Sequence, residues 1–276
     1  MEATMKLTRD IRNAAKNLSK EEAKYLVNMY YQMQEYRKAT ESQCRSMNSE
    51  SDGENTHETL SFFSENFSIM EKNIKSALKK YAESQEIGKW MLSICGIGEV
   101  IAAGLLAHID IKKVQTAGQI QAYAGLDPTR EKKKGEKVYY NPKMKVLCWK
   151  IGESFCKVSN NPNDVYGHIY KLRKEYEQKK NENGDYADQA KAKLEKCNIG
   201  KTTEAYKWYS NGKLPPAHID QRAKRYAVKI FLSHLFEVWY ELDRGEKPPK
   251  PYALAILNHA HKIEIPNYDL VFPDKT

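Results

Sequence analysis

No apolar run in this 276-residue chain approaches the length of a membrane-spanning helix, and its N-terminus lacks the continuous apolar core of a secretory signal. A membrane partner is therefore not expected, and the chain is expected to stay in the cytoplasm. Cysteine is sparse: five residues at 44, 95, 148, 156 and 197, odd in number and without a C-x-x-C pair, give no disulfide framework and read as reduced core thiols. Alternating apolar and polar runs of the kind that form half-buried strands are almost missing, so a mostly α fold is expected. Residues 1–90 lack any net charge, with fourteen basic against fourteen acidic side chains, which leaves the whole excess of +9 to residues 91–276. No serine occurs between Ser93 and Ser154. At 41% apolar, the chain still has enough hydrophobic material for a good core in one or two domains.

The richest stretch is LSICGIGEVIAAGLLAHI, residues 92–109: a helix end, a Gly-Ile-Gly turn and a small-residue helix. Gly96 and Gly98 can both take φ > 0 and carry no Cβ to hold a ligand away. The amides around Gly96, Ile97 and Gly98, with the positive end of the next helix, then suit a phosphate. Val100, Ala103, Gly104 and Ala107 are spaced for one narrow face on which two helices pack closely. The pattern reads as a helix-hairpin-helix. Taken alone it is also compatible with a plain turn between helices, but the next segment adds charge: residues 112–150 hold ten lysines or arginines against three acids.

Along the chain, Ser19 with Glu22 reads as a capping box opening a helix through Tyr25, Leu26, Met29, Tyr30, Met33 and Tyr36. A polar linker is expected at about 46–59. A second long helix at 61–87 places Phe63, Phe67, Met70, Ile74, Ala77 and Tyr81 on one side, and the two helices could pair with each other or with another subunit. The KKKGEK run at 132–137 reads as an exposed basic loop or β-finger. Asn141-Pro142 opens a helix to about 159 with Val146, Leu147, Ile151 and Phe155 inward. Two charged helices broken near 181–185, a loop at 208–216, an apolar helix at 218–242 and an extended proline-containing tail complete the chain. Three regions follow: a helical N-terminal arm at 1–88, a hairpin domain at 89–160, and a helical C-terminal region at 161–276.

The hairpin, the spacer with Ile111 and Lys113, the QIQAYAGLDP run at 119–128, the basic loop and the Lys-rich entry to the next helix occur in a specific order. So arranged, residues 92–158 resemble the C-terminal domain of insertion-sequence transposases of the 110/116/902 group, the RNA-guided or bridge recombinases. RAKRYAVK at 222–229 with the following FLSHLFEVWY resembles the closing helix of that domain. The resemblance implies a scaffold that contacts nucleic acid. It also implies an N-terminal RuvC-like domain with strands and four metal-holding acids, and a serine nucleophile in the C-terminal domain. Residues 1–90 show no strand run, and the nearest hydroxyl in the serine-free basic region is Thr129.

The expectation is a DNA-binding protein of transposase-like origin that grips backbones with low sequence specificity and lacks recombinase catalysis. Its surface would comprise Gly96, Ile97, Gly98, Lys112, Lys113, Arg130, Lys132, Lys133, Lys134, Lys137, Lys143 and Lys145. RNA is a possible partner, a homo-oligomer through the N-terminal helices is expected, and no cofactor is called for. Two alternatives stay open. One is an active transposase, recombinase or nuclease working with another subunit, with Thr129, Tyr139 or Tyr140 as nucleophile; the other is an assembly protein with a basic protein-binding face. His259 and His261 are the one closely spaced histidine pair, and a metal there would need further ligands the sequence does not place. Tyr139, Tyr140 and Trp149 could stack on bases or simply pack.

Overall fold

Ser19 and Glu22 form the reciprocal cap their spacing predicts: the Glu22 amide donates to Ser19 Oγ at 3.2 Å, and the Ser19 amide to Glu22 Oε2 at 2.7 Å. The computed structural model describes residues 7–50, 58–130, 135–249 and 263–273, with 48–50 as backbone only. After a short α1 (Arg9–Ala14), the capped helix α2 (Lys20–Glu50) runs for 31 residues. The expected linker is thus helical at its start, because a long helix already nucleated extends readily through polar residues until a breaker. Residues 51–57 lie outside the described residues.

α3 (Glu58–Glu83) and α4 (Glu86–Ser93) replace the single helix expected at 61–87. Gly88 explains the break: a Cβ there would stand 1.9 Å from the Ala82 carbonyl oxygen, so α4 turns directly over the end of α3. Ile74, Ala77, Leu78, Tyr81 and Ala82 of α3 are buried, whereas Phe63 is 49% exposed and does not join the face its spacing suggested. α2 packs along α3, pinned by Arg37 Nε to Glu71 Oε2 at 2.6 Å. α5 (Glu99–His108) is buried at every position from Ala102 to Ala107 and packs on α2, α3 and α4. Its small residues therefore serve all sides, where one narrow face was expected; a helix apolar all round belongs inside.

The chain divides into two units. The first comprises Met1–Ser93, Ile97–Lys113 and Asn267–Thr276. In place of a wholly extended tail, its last piece holds a 3-10 turn, Tyr268–Leu270, and Asn267 Nδ2 donates to both Ser93 O and Ser93 Oγ at 3.0 Å.

The second unit comprises Ile94–Gly96 and Val114–Pro266. It contains α6 (Ala117–Tyr123), α7 (Pro142–Val158), α8 (Tyr166–Glu182), α9 (Ala187–Lys196), α10 (Glu204–Ser210) and α11 (Pro216–Arg244). α7 starts where Asn141 Oδ1 accepts from the amides of Lys143 and Met144 at 3.0 and 3.1 Å. α8 and α9 break where expected, and α10 occupies part of the expected 208–216 loop. Buried Tyr209 fixes it within a small cluster with Tyr186, Ala190, Leu214 and Ile219, a tertiary contact that so short a segment does not advertise.

α11 is the spine of this unit, packed on α6, α7 and α8 and closed by Gly245 at φ 75°. Phe155, Tyr166 and Phe231 meet at its centre with ring centroids 5.0 to 5.6 Å apart. Buried His234 accepts a hydrogen bond from the Tyr166 hydroxyl on Nδ1 at 2.8 Å and donates from Nε2 to Ile263 O at 3.1 Å, the arrangement of a satisfied core histidine. Among the described residues there are eleven α-helices and no strand, so the fold is mostly α. No helix of the described residues is long and apolar enough to cross a membrane.

Candidate nucleic-acid interface

Residues 94–98 turn the chain between α4 and α5, and the two glycines do different things. Gly96 sits at φ 90°, its carbonyl accepts from Ser154 Oγ at 2.6 Å, and a Cβ there would meet Phe155 Cδ1 at 3.0 Å and Val158 Cγ2 at 3.1 Å. It is a packing glycine. Gly98, at φ −90° and ψ 175°, is the N-cap of α5 and needs no left-handed backbone, which corrects the expectation for it. A Cβ on Gly98 would meet nothing within 4 Å. Ile97 is buried, so only its backbone could face a ligand.

The first bond of the α5 ladder runs from Ala102 N to Gly98 O at 2.9 Å, which leaves the amides of residues 99–101 outside it. Glu99 already brings a carboxylate to this positive helix end, where it pairs with Lys75 at 3.5 Å. An arriving phosphate would compete with that carboxylate.

Lys112 and Lys113 close a 3-10 turn, Ile111–Lys113, in the first unit, and Lys113 reaches Asp110 at 3.4 Å. Arg130, Lys137, Lys143 and Lys145 are exposed and belong to the second unit. Two clamps hold the basic loop at its base. The Asn141 amide donates to Tyr123 O at 2.9 Å and its Nδ2 to the Tyr123 hydroxyl at 2.6 Å, while the Tyr139 hydroxyl donates to Arg130 O at 2.6 Å. Gly125, at φ 67°, lies under the Tyr140 ring, where a Cβ would come 2.8 Å from Cγ; this is the packing reason for the glycine in AYAGLDP. The described part of the loop, 135–141, carries no strand, so of the two readings, exposed loop or β-finger, these residues fit the loop. Lys132, Lys133 and Lys134 lie outside the described residues, as do His259 and His261.

Of the three residues read as nucleophiles, Thr129 and Tyr139 have their hydroxyls hydrogen-bonded and Tyr140 is held through its ring. Thr129 donates its hydroxyl to Asp127 Oδ1 at 2.7 Å and its amide to the same oxygen at 2.9 Å, and these two bonds hold the Asp127 carboxyl below its ordinary range. Tyr139 is committed to the Arg130 carbonyl, and Tyr140 packs on Gly125 with Lys145 Nζ 4.4 Å above its ring.

The structure also joins residues that sequence reasoning kept apart. Lys145 and Trp149 of α7 line one pocket with Arg225 of α11. The spacing of four between Lys145 and Trp149 was visible, but the pairing of α7 with α11 was not. Val146, expected inward, is 53% exposed on the same side of α7, because α11 covers the adjoining face through Leu147, Ile151 and Phe155.

No curated protein and no solved structure matches the chain. Residues 88–144, about a fifth of its length, match the family model of the Transposase IS116/IS110/IS902 family, and over that stretch, from α4 to the first turn of α7, the chain is transposase-like.

Proposed function

We propose that this protein binds nucleic acid through its backbone phosphates, with double-stranded DNA as the principal ligand and little dependence on base sequence. The observation that carries the reading is the set of exposed cations on and beside the clamped loop: Arg130, Lys137, Lys143 and Lys145. Lys132, Lys133 and Lys134 add to it from the sequence. Gly98 and the free amides of α5, with Lys112 and Lys113, form a second backbone contact in the same reading. Strand cleavage and transfer are not part of it: the Thr129 and Tyr139 hydroxyls are engaged in hydrogen bonds, and the Tyr140 ring packs on Gly125.

The test is anisotropy titration of a labelled duplex at about 50 and about 200 mM salt. Log affinity falls by about 0.9 per phosphate contact for each tenfold rise in salt, so four contacts predict a loss of about 100-fold over that range. A scrambled duplex should bind within about threefold of the first, because phosphate contacts carry no sequence information. Replacing Lys132, Lys133 and Lys134 together by Glu should abolish binding at the higher salt without changing the helical circular dichroism. Affinity indifferent to salt, or unchanged in the triple variant, would sink the reading.

A further inference from the structure

We propose that the pocket between α7 and α11 is a nucleotide site, which takes one unpaired base against the Trp149 indole and that nucleotide's phosphate on Arg225 and Lys145. This rests on the nucleic-acid reading above and adds to it a preference for nucleic acid that is not fully paired.

The pocket has a volume of about 210 Å3, the share of about seven waters, and so suits a single heterocycle better than a larger ligand. Its floor is apolar: Leu126, Cys148, Gly152 and Val228. Burial pushes the Cys148 thiol up to about 12, so it presents neutral sulfur. Gly152 makes the space. A Cβ there would stand 3.2 Å from Lys224 Cβ and 3.5 Å from Val228 Cγ2, and its absence lets α11 approach α7 while leaving a slot beside the contact.

Trp149 forms the wall and is 54% exposed, an unusual state for an indole on a helix whose inner face is well packed. The positive charges at the rim are not equal. Lys224 is committed to Glu153 at 2.7 Å and Asp220 at 2.8 Å, and Arg222, on the same helix, to Glu177 at 2.7 Å. Among the described residues Arg225 makes no ion pair or hydrogen bond, and Lys145 has its Nζ over the Tyr140 ring. Loss of hydration against the protein, and then the Arg222 charge, hold the Arg225 guanidinium below its ordinary value. Lys229, one turn further along α11, is likewise held low by lost hydration. Glu177 offsets the charge of Arg225 and Asp127 that of Lys229 only in part, so two cations four residues apart on α11 favour an anion beside them.

An aromatic wall, a slot for one ring and, at its edge, cations without an ion pair among the described residues together match a nucleotide. A bare phosphate would leave Trp149 unused, and an acidic peptide would leave the slot unused. A base inside a duplex is stacked on both sides and cannot reach the indole, so the occupant must be unpaired or extruded.

The full-length protein is titrated with a paired duplex, the same duplex carrying a single-nucleotide bulge, and an oligo-dT and an oligo-U strand, the last two separating DNA from RNA as the source. The bulged duplex should bind about tenfold tighter than the paired one, with quenching of tryptophan emission. Trp149→Leu should bring the bulged duplex down to the paired level, leave the paired affinity unchanged and remove most of the quenching. Trp149→Tyr should restore the preference, and Arg225→Gln should weaken strand binding and flatten its salt dependence by about one contact. A Trp149→Leu variant that weakens both duplexes equally, or neither, overturns the site, as does equal quenching by poly-glutamate. If the paired duplex also shows no salt-dependent binding, the underlying nucleic-acid reading has failed with it; if paired binding is intact and only the bulge preference is missing, the pocket proposal alone is wrong.

Discussion

Glu177 is a buried carboxylate of the second unit held by three partners, and its charge bears on stability. Its carboxylate is 1% exposed and accepts from Arg173 Nε at 2.8 Å, Arg222 Nε at 2.7 Å and the Tyr186 hydroxyl at 2.5 Å. Burial alone would raise this carboxyl, but the three hydrogen bonds together outweigh it and hold the group below its usual 4.5. A carboxyl lowered in the folded state stabilises the fold above its unfolded value, and that contribution is lost as pH falls through the folded value. Glu177→Gln keeps the volume and removes the charge, and should cost about 3 kcal/mol in chemical denaturation at neutral pH. Its stability should also fall less steeply than that of the parent protein below about pH 4.5; parallel curves would show that Glu177 does not contribute in this way. Of these contacts only the Arg173–Glu177 spacing of four was legible in the sequence. Arg222 lies 45 positions away, and nothing local sets Glu177 apart from the solvated glutamates of the same helix.

At the scale of elements, local signals were readable and contact-dependent ones were not. The Ser19–Glu22 cap, the Asn141-Pro142 start of α7 and the α8–α9 break each involve residues within a turn or two of one another, so the sequence states them directly. Phe63, Val146 and the short α10 depend on which element lies alongside, and there periodicity misled. The turn at 94–98 combines both cases: its position was clear, but only packing separates its two glycines. Gly96→Ala should destabilise the protein by about 1–3 kcal/mol, because it forces a side chain into φ 90° against Phe155 and Val158. Gly98→Ala should change stability by less than about 1 kcal/mol, since it is an extended N-cap facing open space. If a phosphate closes on that turn, Gly98→Ala should nonetheless weaken duplex binding severalfold. Thermal melting together with duplex titration of both variants decides the matter, and a Gly98→Ala protein that binds normally removes the turn from the interface.

For the whole molecule, charge is partitioned along the same line as the contacts. The residues of the second unit hold 28 basic against 18 acidic side chains, a net of +10, whereas the first unit holds 17 against 18. All of the chain's positive excess therefore belongs to the unit that carries the clamped loop and the α7–α11 pocket. The sequence allowed the charge asymmetry to be seen because composition needs no fold, but the cut at 90 assigned Lys112 and Lys113 to the basic body, and the contacts place them with α5. Counterion release scales with the cations a phosphate backbone actually meets, so a near-neutral unit contributes little to binding however exposed it is. Photo-crosslinking the full-length protein to a duplex at low salt, followed by peptide mapping, should place most adducts within 114–266, with the loop around 130–145 foremost, and a minority at Lys112, Lys113 and the start of α5. Adducts concentrated on α2 and α3 would mean that the tyrosine-rich helices, and not the basic unit, hold the nucleic acid. Adducts on Lys112, Lys113 and the start of α5 in addition to the loop would identify the turn as a second contact, the outcome that Gly98→Ala probes independently.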